Sequence, residues 1–184
     1  TSIGDGAFDR CSNLATVNFN ATNCTTMSTN SLYPVFYYCS SLTTVNIGEN
    51  VKIIPDYAFY ACRSLPQVTI PDSVTSIGFQ AFSLCDALTT VNFNATNCTA
   101  NGTVFQGSSA LSTVNFGENV KNIPEYAFSS CTGLTEITLP DSLVNIDGYA
   151  FNGCRGLTSI TIPESVTSIG DRAFQNCSGL TTIN

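Results

Sequence analysis

Histidine and tryptophan are absent from these 184 residues, methionine occurs once, and charged residues make up only 10% of the chain. Each shortage excludes something. Without histidine the usual hydrolytic triads and the common neutral-pH general base are missing, and no G-x-S-x-G elbow or glycine-rich phosphate loop replaces them. Six Lys and Arg stand against thirteen Asp and Glu, a net charge of −7. Such an acidic, sparsely charged surface repels phosphate backbones, which speaks against nucleic-acid binding. No apolar run approaches the roughly 18 residues a membrane-crossing helix needs, and no leader peptide is visible. Because ordinary chains carry about 25% charged residues, the polar surface must here come from Ser, Thr and Asn.

What is abundant is order. Leu14, Leu42, Leu65, Leu88, Leu111, Leu134, Leu157 and Leu180 recur along the chain, and from Leu42 onward every interval is 23 residues. The clearest units read VKIIPDYAFYACRSLPQVTIPDS (51–73), VKNIPEYAFSSCTGLTEITLPDS (120–142), LVNIDGYAFNGCRGLTSITIPES (143–165) and VTSIGDRAFQNCSGLTTIN (166–184). A period in the twenties marks a solenoid, in which each unit buries its apolar edge only by stacking on the next. The shared A-F-x-x-C-x-x-L-x-x-[IV]-x-[IFL]-P-[DE]-S core, which spans essentially the whole chain, closely resembles the BspA-like leucine-rich repeats, also called the Treponema pallidum type. The fold expected is therefore a repeat solenoid of the leucine-rich-repeat type, with eight coils at about 1–27, 28–50, 51–73, 74–96, 97–119, 120–142, 143–165 and 166–184. Together they form one solenoid domain over 1–184, expected to be a segment of a longer array, since the chain begins and ends inside a repeat.

Periodicity changes twice within a unit. Leu65-Pro66-Gln67-Val68-Thr69-Ile70 alternates every two residues and is rich in β-formers, which predicts a short strand with Val and Ile inward. Stacked coils then give one long parallel sheet, and Pro71-Asp72-Ser73 turns the chain. A second extended stretch, such as Val74-Thr75-Ser76-Ile77, predicts a narrower second sheet. The Tyr57-Ala58-Phe59-Tyr60-Ala61-Cys62 piece is too short for a stable helix and predicts one helical or 3₁₀ turn, with Asp5, Asp56, Glu125 and Asp171 placed to cap its free amides.

Two columns run through the expected core. Phe8, Phe36, Phe59, Phe82, Phe105, Phe128, Phe151 and Phe174 each precede their leucine by six residues, and predict a continuous aromatic spine. Cys11, Cys39, Cys62, Cys85, Cys131, Cys154 and Cys177 precede it by three, with Ser108 in the same place in the fifth coil. Equivalent side chains in a stack point the same way rather than at each other, so buried free thiols are expected instead of disulfides. No cofactor or metal is expected: C-x-x-C pairs are lacking, and a straight ladder does not converge on a tetrahedral centre.

Cys24 and Cys98 depart from the column. Both lie in the octapeptide Asn-Phe-Asn-Ala-Thr-Asn-Cys-Thr, at 18–25 and 92–99, each followed by a polar linker, 26–34 and 100–103. Gly-Glu-Asn-Val-Lys at 48–52 recurs 69 residues later at 117–121, which reads as a duplicated three-coil block. Five of six N-x-[ST] sequons, at Asn20, Asn23, Asn94, Asn97 and Asn101, fall in these unusual loops, and the sixth is at Asn176. They would be glycosylation acceptors only in a eukaryotic secretory pathway.

Three surface columns could carry function. Outward positions of the main sheet, Thr44, Asn46, Gln67, Thr69, Thr90, Asn92, Thr113, Asn115, Glu136, Thr138, Ser159 and Thr161, form a flat hydrogen-bonding wall and are the candidate ligand-binding face. Solvation of a β-surface is its simpler role, since Trp, Tyr and Arg hot-spot residues are missing there. Glu49, Asp72, Glu118, Asp141 and Glu164 form an acidic column without the D-x-D spacing that gathers calcium ligands. Tyr57, Tyr126 and Tyr149, together with Tyr33, Tyr37, Tyr38 and Tyr60, cover the coil edge or form a stripe. An enzyme is not expected. The resemblance implies an extracellular, cell-surface adhesion or protein-binding module whose partner is a host or neighbouring-cell surface or matrix protein, or a glycan. The alternative is a structural spacer with no ligand of its own, and self-association through exposed end coils is a further expectation. No membrane insertion is expected of this segment. Titration of thiols in denaturant without reductant should find all nine; one or fewer would overturn the ladder.

Overall fold

The computed structural model describes residues 1–28 and 31–184; of the linker 26–34, Thr29 and Asn30 lie outside the described residues. Eight coils stack as a parallel β-solenoid. The wide strands pair in register, each residue opposite its counterpart one coil on, as Thr90, Val91, Asn92 and Phe93 face Thr113, Val114, Asn115 and Phe116. The two-residue alternation decides facing: Val68 and Ile70 are buried while Gln67 and Thr69 are exposed. Slipping by one residue would turn every apolar side chain outward. The longer first interval does not do so, because its extra residues fall outside the strands and Val17 still faces Val45. On another side of the coil, two-residue strands such as Ser76–Ile77 and Thr99–Ala100 form the expected narrow sheet.

Continuity of the main sheet differs from expectation. Instead of one sheet, Thr16–Phe19 pairs with Thr44–Ile47, Thr90–Phe93 with Gln67–Ile70 on one side and Thr113–Phe116 on the other, and Ser159–Ile160 with Thr182–Ile183. The segment 135–139 takes no regular strand. At the first break, Pro66 stands where Thr43 and Thr89 donate to the preceding coil, and proline has no N–H to donate.

The expected helical turn is also corrected, since the Ala-Phe-x-x-Cys piece is a run of turns and no helix occurs among the described residues. Its backbone is left-handed at two places per regular coil, for example Tyr57 (φ 53°) and Ala61 (φ 57°), or Tyr126 (φ 56°) and Ser130 (φ 62°). A left-handed residue breaks the helical path and points alternate amides along the solenoid axis. Tyr57, Phe59 and Ala61 thus donate to the carbonyls of Phe79, Ala81 and Ser83 in the next coil, at 2.9, 2.8 and 2.8 Å. The intervening Ala58, Tyr60 and Cys62 close turns onto Pro55, Tyr57 and Phe59. Asp56 does not cap its own turn; its carboxylate accepts from the N–H of Phe79, one coil on, at 2.7 Å.

Inside, the phenylalanine column is a continuous stack. Seven successive contacts from Phe8 to Phe174 hold ring centroids 5.2–5.7 Å apart with nearly parallel planes. Leu42 through Leu157 are fully buried beside it. Thiols line the same core, and all nine cysteines are free, eight of them buried. The sulfhydryls of Cys85, Cys154 and Cys177 lie 3.4, 3.2 and 3.2 Å from the carbonyls of Phe59, Phe128 and Phe151 one coil back. Ser108 does the same with its hydroxyl, to Phe82 at 3.3 Å, which explains why serine fits this column. Burial pushes the thiols of Cys85, Cys98 and Cys154 up to about 12.

Truncating Phe105 to Ala should cost about 3–5 kcal/mol, measured from urea unfolding. The thiols give a second expectation. An unfolded thiol ionises above about pH 8.5 whereas the buried ones keep their protons to about 12, so the unfolded state binds fewer protons in that window and stability falls as pH rises through it. The urea midpoint should be level between pH 6 and 8 and decline above pH 9, less steeply in Cys85→Ser.

Candidate binding surface

The outward columns of the wide strands lie where the alternation places them. Thr44, Asn46, Gln67, Thr69, Thr113, Asn115, Glu136, Thr138, Ser159 and Thr161 are exposed, and Thr90 and Asn92, mid-sheet, are half-buried. Register brings like residues together one coil apart, so amides bond along the axis. The Asn46 amide donates to the Asn18 side-chain oxygen at 2.8 Å, Asn115 does the same to Asn92 at 2.8 Å, and Asn92 reaches the Thr69 hydroxyl at 3.2 Å. Hydroxyl and amide ladders are expected on this face, and the amides bond to one another along the axis where identical asparagines hold one strand position in adjacent coils. Just before each strand, Thr89, Thr158 and Thr181 bond their hydroxyls to the carbonyls of Pro66, Thr135 and Thr158 one coil back. The wall is consequently fixed by its own polar groups.

The wall is not uniform. Where the sheet breaks, the adjoining coils leave two shallow polar clefts. Thr44, Asn46, Gln67 and Thr69 line the first, and Thr113, Asn115, Glu136 and Thr138 line the second. The two sets are 69 residues apart, the offset of the duplicated block. Thr90 and Asn92 lie between the clefts, and Ser159 and Thr161 lie in neither. The side-chain oxygens of Asn46 and Asn115 end their ladders at the clefts and accept no further bond among the described residues, leaving an acceptor for an incoming donor.

Below the strands, Glu49, Asp72 and Glu118 line a wider open hollow with Asn50, Asn94 and Asn119. Asn94 fits there because Gly117 has no side chain: a Cβ would come within 2.7 Å of the Asn94 oxygen, and Gly48 stands in the same relation to Asn20. Among the described residues no group of three or more His, Cys, Asp and Glu is arranged to hold a metal ion. On the opposite edge the tyrosines pack on one another. Tyr126 stacks on Tyr149 at 4.6 Å, and the Arg172 guanidinium lies over the Tyr149 ring while donating to its hydroxyl at 2.6 Å. Tyr33 and Tyr38 stay largely exposed.

At the ends of the stack, apolar surface is open. Ile3, Phe8, Leu14, Val17 and Met27 line a hollow in the first coil, and Ile169 and Ile183 are exposed in the last. Among the described residues no helix is long and apolar enough to cross a membrane.

Comparison with known proteins bears on the whole length. Three overlapping stretches, 1–106, 33–154 and 99–184, match the model of the BspA type leucine rich repeat region. No curated protein matches the chain. Among solved structures, a leucine-rich repeat protein of Bacteroides ovatus is 26% identical with a TM-score of 0.66, over 99% of this chain and 51% of that one. A leucine rich cell surface protein of Faecalibacterium prausnitzii is 25% identical with a TM-score of 0.59, over 99% and 62%. The T. pallidum leucine rich repeat protein is 27% identical with a TM-score of 0.57, over 64% and 57%. The chain thus spans between about half and three fifths of the length of these similar structures. With repeat period, parallel coil register and family match in agreement from end to end, this chain belongs to the BspA-type leucine-rich repeat family.

Proposed function

We propose that the chain is a non-catalytic, cell-surface adhesion module that binds a surface or matrix protein of a host or neighbouring cell through its Thr/Asn-rich sheet face. The observation that carries this reading is the rigid wall itself. Thr44, Asn46, Gln67, Thr69, Thr90, Asn92, Thr113, Asn115, Glu136, Thr138, Ser159 and Thr161 project from stacked coils whose spacing is set by the fold rather than by a partner, so little order has to be created on binding. The two clefts interrupt this wall at equivalent places and offer unpaired amide oxygens. A low charge density suits a partner recognised through hydrogen bonds and shape, and removes the long-range steering that a charged interface supplies. The similar cell surface protein of F. prausnitzii supports a surface location.

The reading is tested by immobilising the chain and passing an extracellular-matrix protein fraction over it. A saturable partner should be retained, and replacing Thr44, Asn46, Thr113 and Asn115 together by Ala should lower its affinity at least tenfold while the circular dichroism spectrum is unchanged. Absence of any saturable partner would contradict adhesion and leave the spacer.

A further inference from the structure

In a solenoid the chain runs around the axis, so a pull along the axis is carried from coil to coil by the contacts between them. At most boundaries those contacts include backbone hydrogen bonds on all three sides. From the third coil to the fourth, Gln67–Ile70 pairs with Thr90–Phe93, Ile53–Ile54 pairs with Ser76–Ile77, and the turn amides of Tyr57, Phe59 and Ala61 donate forward. From the sixth to the seventh, Tyr126, Phe128 and Ser130 donate to Gly148, Ala150 and Asn152 at 3.1, 2.9 and 2.7 Å.

Two boundaries lack this. Thr26–Met27 pairs with Ser2–Ile3 and so belongs to the second coil, not to a first coil reaching residue 27; between the second and third coils, at residues 50/51, neither the wide strands nor the narrow strands Thr26–Met27 and Ile53–Ile54 pair. No turn amide of the second coil donates to the third among the described residues; only the local Val51-to-Gly48 turn, which carries the chain across, joins their backbones. Among the described residues a single side-chain bond, Ser64 hydroxyl to Ser40 carbonyl at 2.7 Å, remains. Between the fifth and sixth coils, at 119/120, both sheets break again. There the links among the described residues are Phe105 N–H to Ala127 at 3.3 Å, Lys121 N–H to Thr96 at 2.8 Å, the Asn122 amide to the Cys98 carbonyl at 3.0 Å and the Cys131 thiol to the Phe105 carbonyl at 3.8 Å.

The two seams share a cause. In regular coils a left-handed residue, Tyr57, Gln80, Tyr126, Tyr149 or Arg172, opens the run of turns and aims the amides forward. Pro34 and Thr103 occupy that place in the second and fifth coils, and neither is left-handed; Pro34 also lacks an N–H. Across both seams ring contacts carry the core onward. Phe36 stacks on Phe59 at 5.7 Å and Phe105 on Phe128 at 5.3 Å. Phe19 and Phe93, from the two copies of the octapeptide, reach two coils ahead to meet Phe59 and Phe128 edge-on at 6.0 and 6.1 Å.

We propose that this solenoid is a jointed rod of three blocks, 1–50, 51–119 and 120–184, which part at the two seams under tension, so that it serves as an extensible tether as well as a wall. Apolar ring contacts hold the blocks together at rest. Under load they yield before the hydrogen-bonded coils inside a block, because coupling in a repeat array is nearest-neighbour and the weakest interface breaks first.

Single-molecule pulling of the intact chain by its two ends tests this. A seam joins consecutive residues and releases little length by itself, but a block freed of its neighbour loses the cover on its end coil and unravels as a unit; at about 3.6 Å per released residue, extension should occur in three events of about 18, 25 and 23 nm. The 18 nm event should come first, because among the described residues the 50/51 seam has the fewest bonds. Asn122→Ala, which removes the 3.0 Å bond across the second seam together with a 2.9 Å bond to Asp147 inside the third block, should lower the force of the second event and leave the first unchanged, whereas Asp147→Ala, which removes only the bond inside the block, should leave the second event at its force. One all-or-none event of about 66 nm, or a series of steps of about 8 nm at one coil each, would overturn the three-block rod, as would an Asn122→Ala variant whose second event keeps its force.

Discussion

Everything in this molecule depends on register between neighbouring coils. A single coil has no inside: its leucine, phenylalanine and cysteine form a thin edge that is buried only when an identical edge lies directly above and below. That constraint explains why the wide strands match residue for residue and why phenylalanine rings stack at a nearly constant 5.2–5.7 Å from one end to the other. It also explains the thiols, which sit where a small, weakly polar group must fit beside a carbonyl of the preceding coil. Cysteine and Ser108 are both small enough for that place and both present a hydrogen to that carbonyl.

The same register generates the outer surface as a by-product. Because equivalent residues repeat at one strand spacing, a polar side chain placed once becomes a ladder, and Asn18–Asn46 and Asn92–Asn115 bond along the axis for that reason. The wall therefore combines low charge with high order. The two interruptions that form clefts follow the three-coil duplication, so the clefts and the hollow lined by Glu49, Asp72 and Glu118 come from the block level of the sequence rather than from the single repeat.

Most of the architecture was legible before the structure. Leucine spacing gave the coil, alternation around Val68 and Val91 gave the facing, and the offset of Phe and Cys from each leucine placed both columns in the core. What failed was the local backbone between them. An Ala-Phe-x-x-Cys spacing suits a helical turn as well as a run of tight turns, and the decisive fact, left-handed backbone at Tyr57 and Ala61, has no residue signature when tyrosine, glutamine, leucine and arginine all accept it. Gly153 and Gly107 in the same column were the available hint. The breaks in the sheet were half legible: Pro34 and Pro66 announce missing donors at the first, but nothing about Thr103 announces the second. Alternation along the strands tells which positions face outward, while their division between two clefts needed the observed pairing.

The most direct test of the stacking account is amide hydrogen exchange read residue by residue. If coils are joined as described, the amides of Phe59, Phe82, Phe128 and Phe151, each donating to the coil that follows, should exchange slowly. The amide of Phe36, whose coil meets a seam and which donates to no carbonyl among the described residues, should exchange markedly faster despite its equally buried ring. Equal protection of all five, or a pattern in which every turn residue is protected as in a helix, would contradict it.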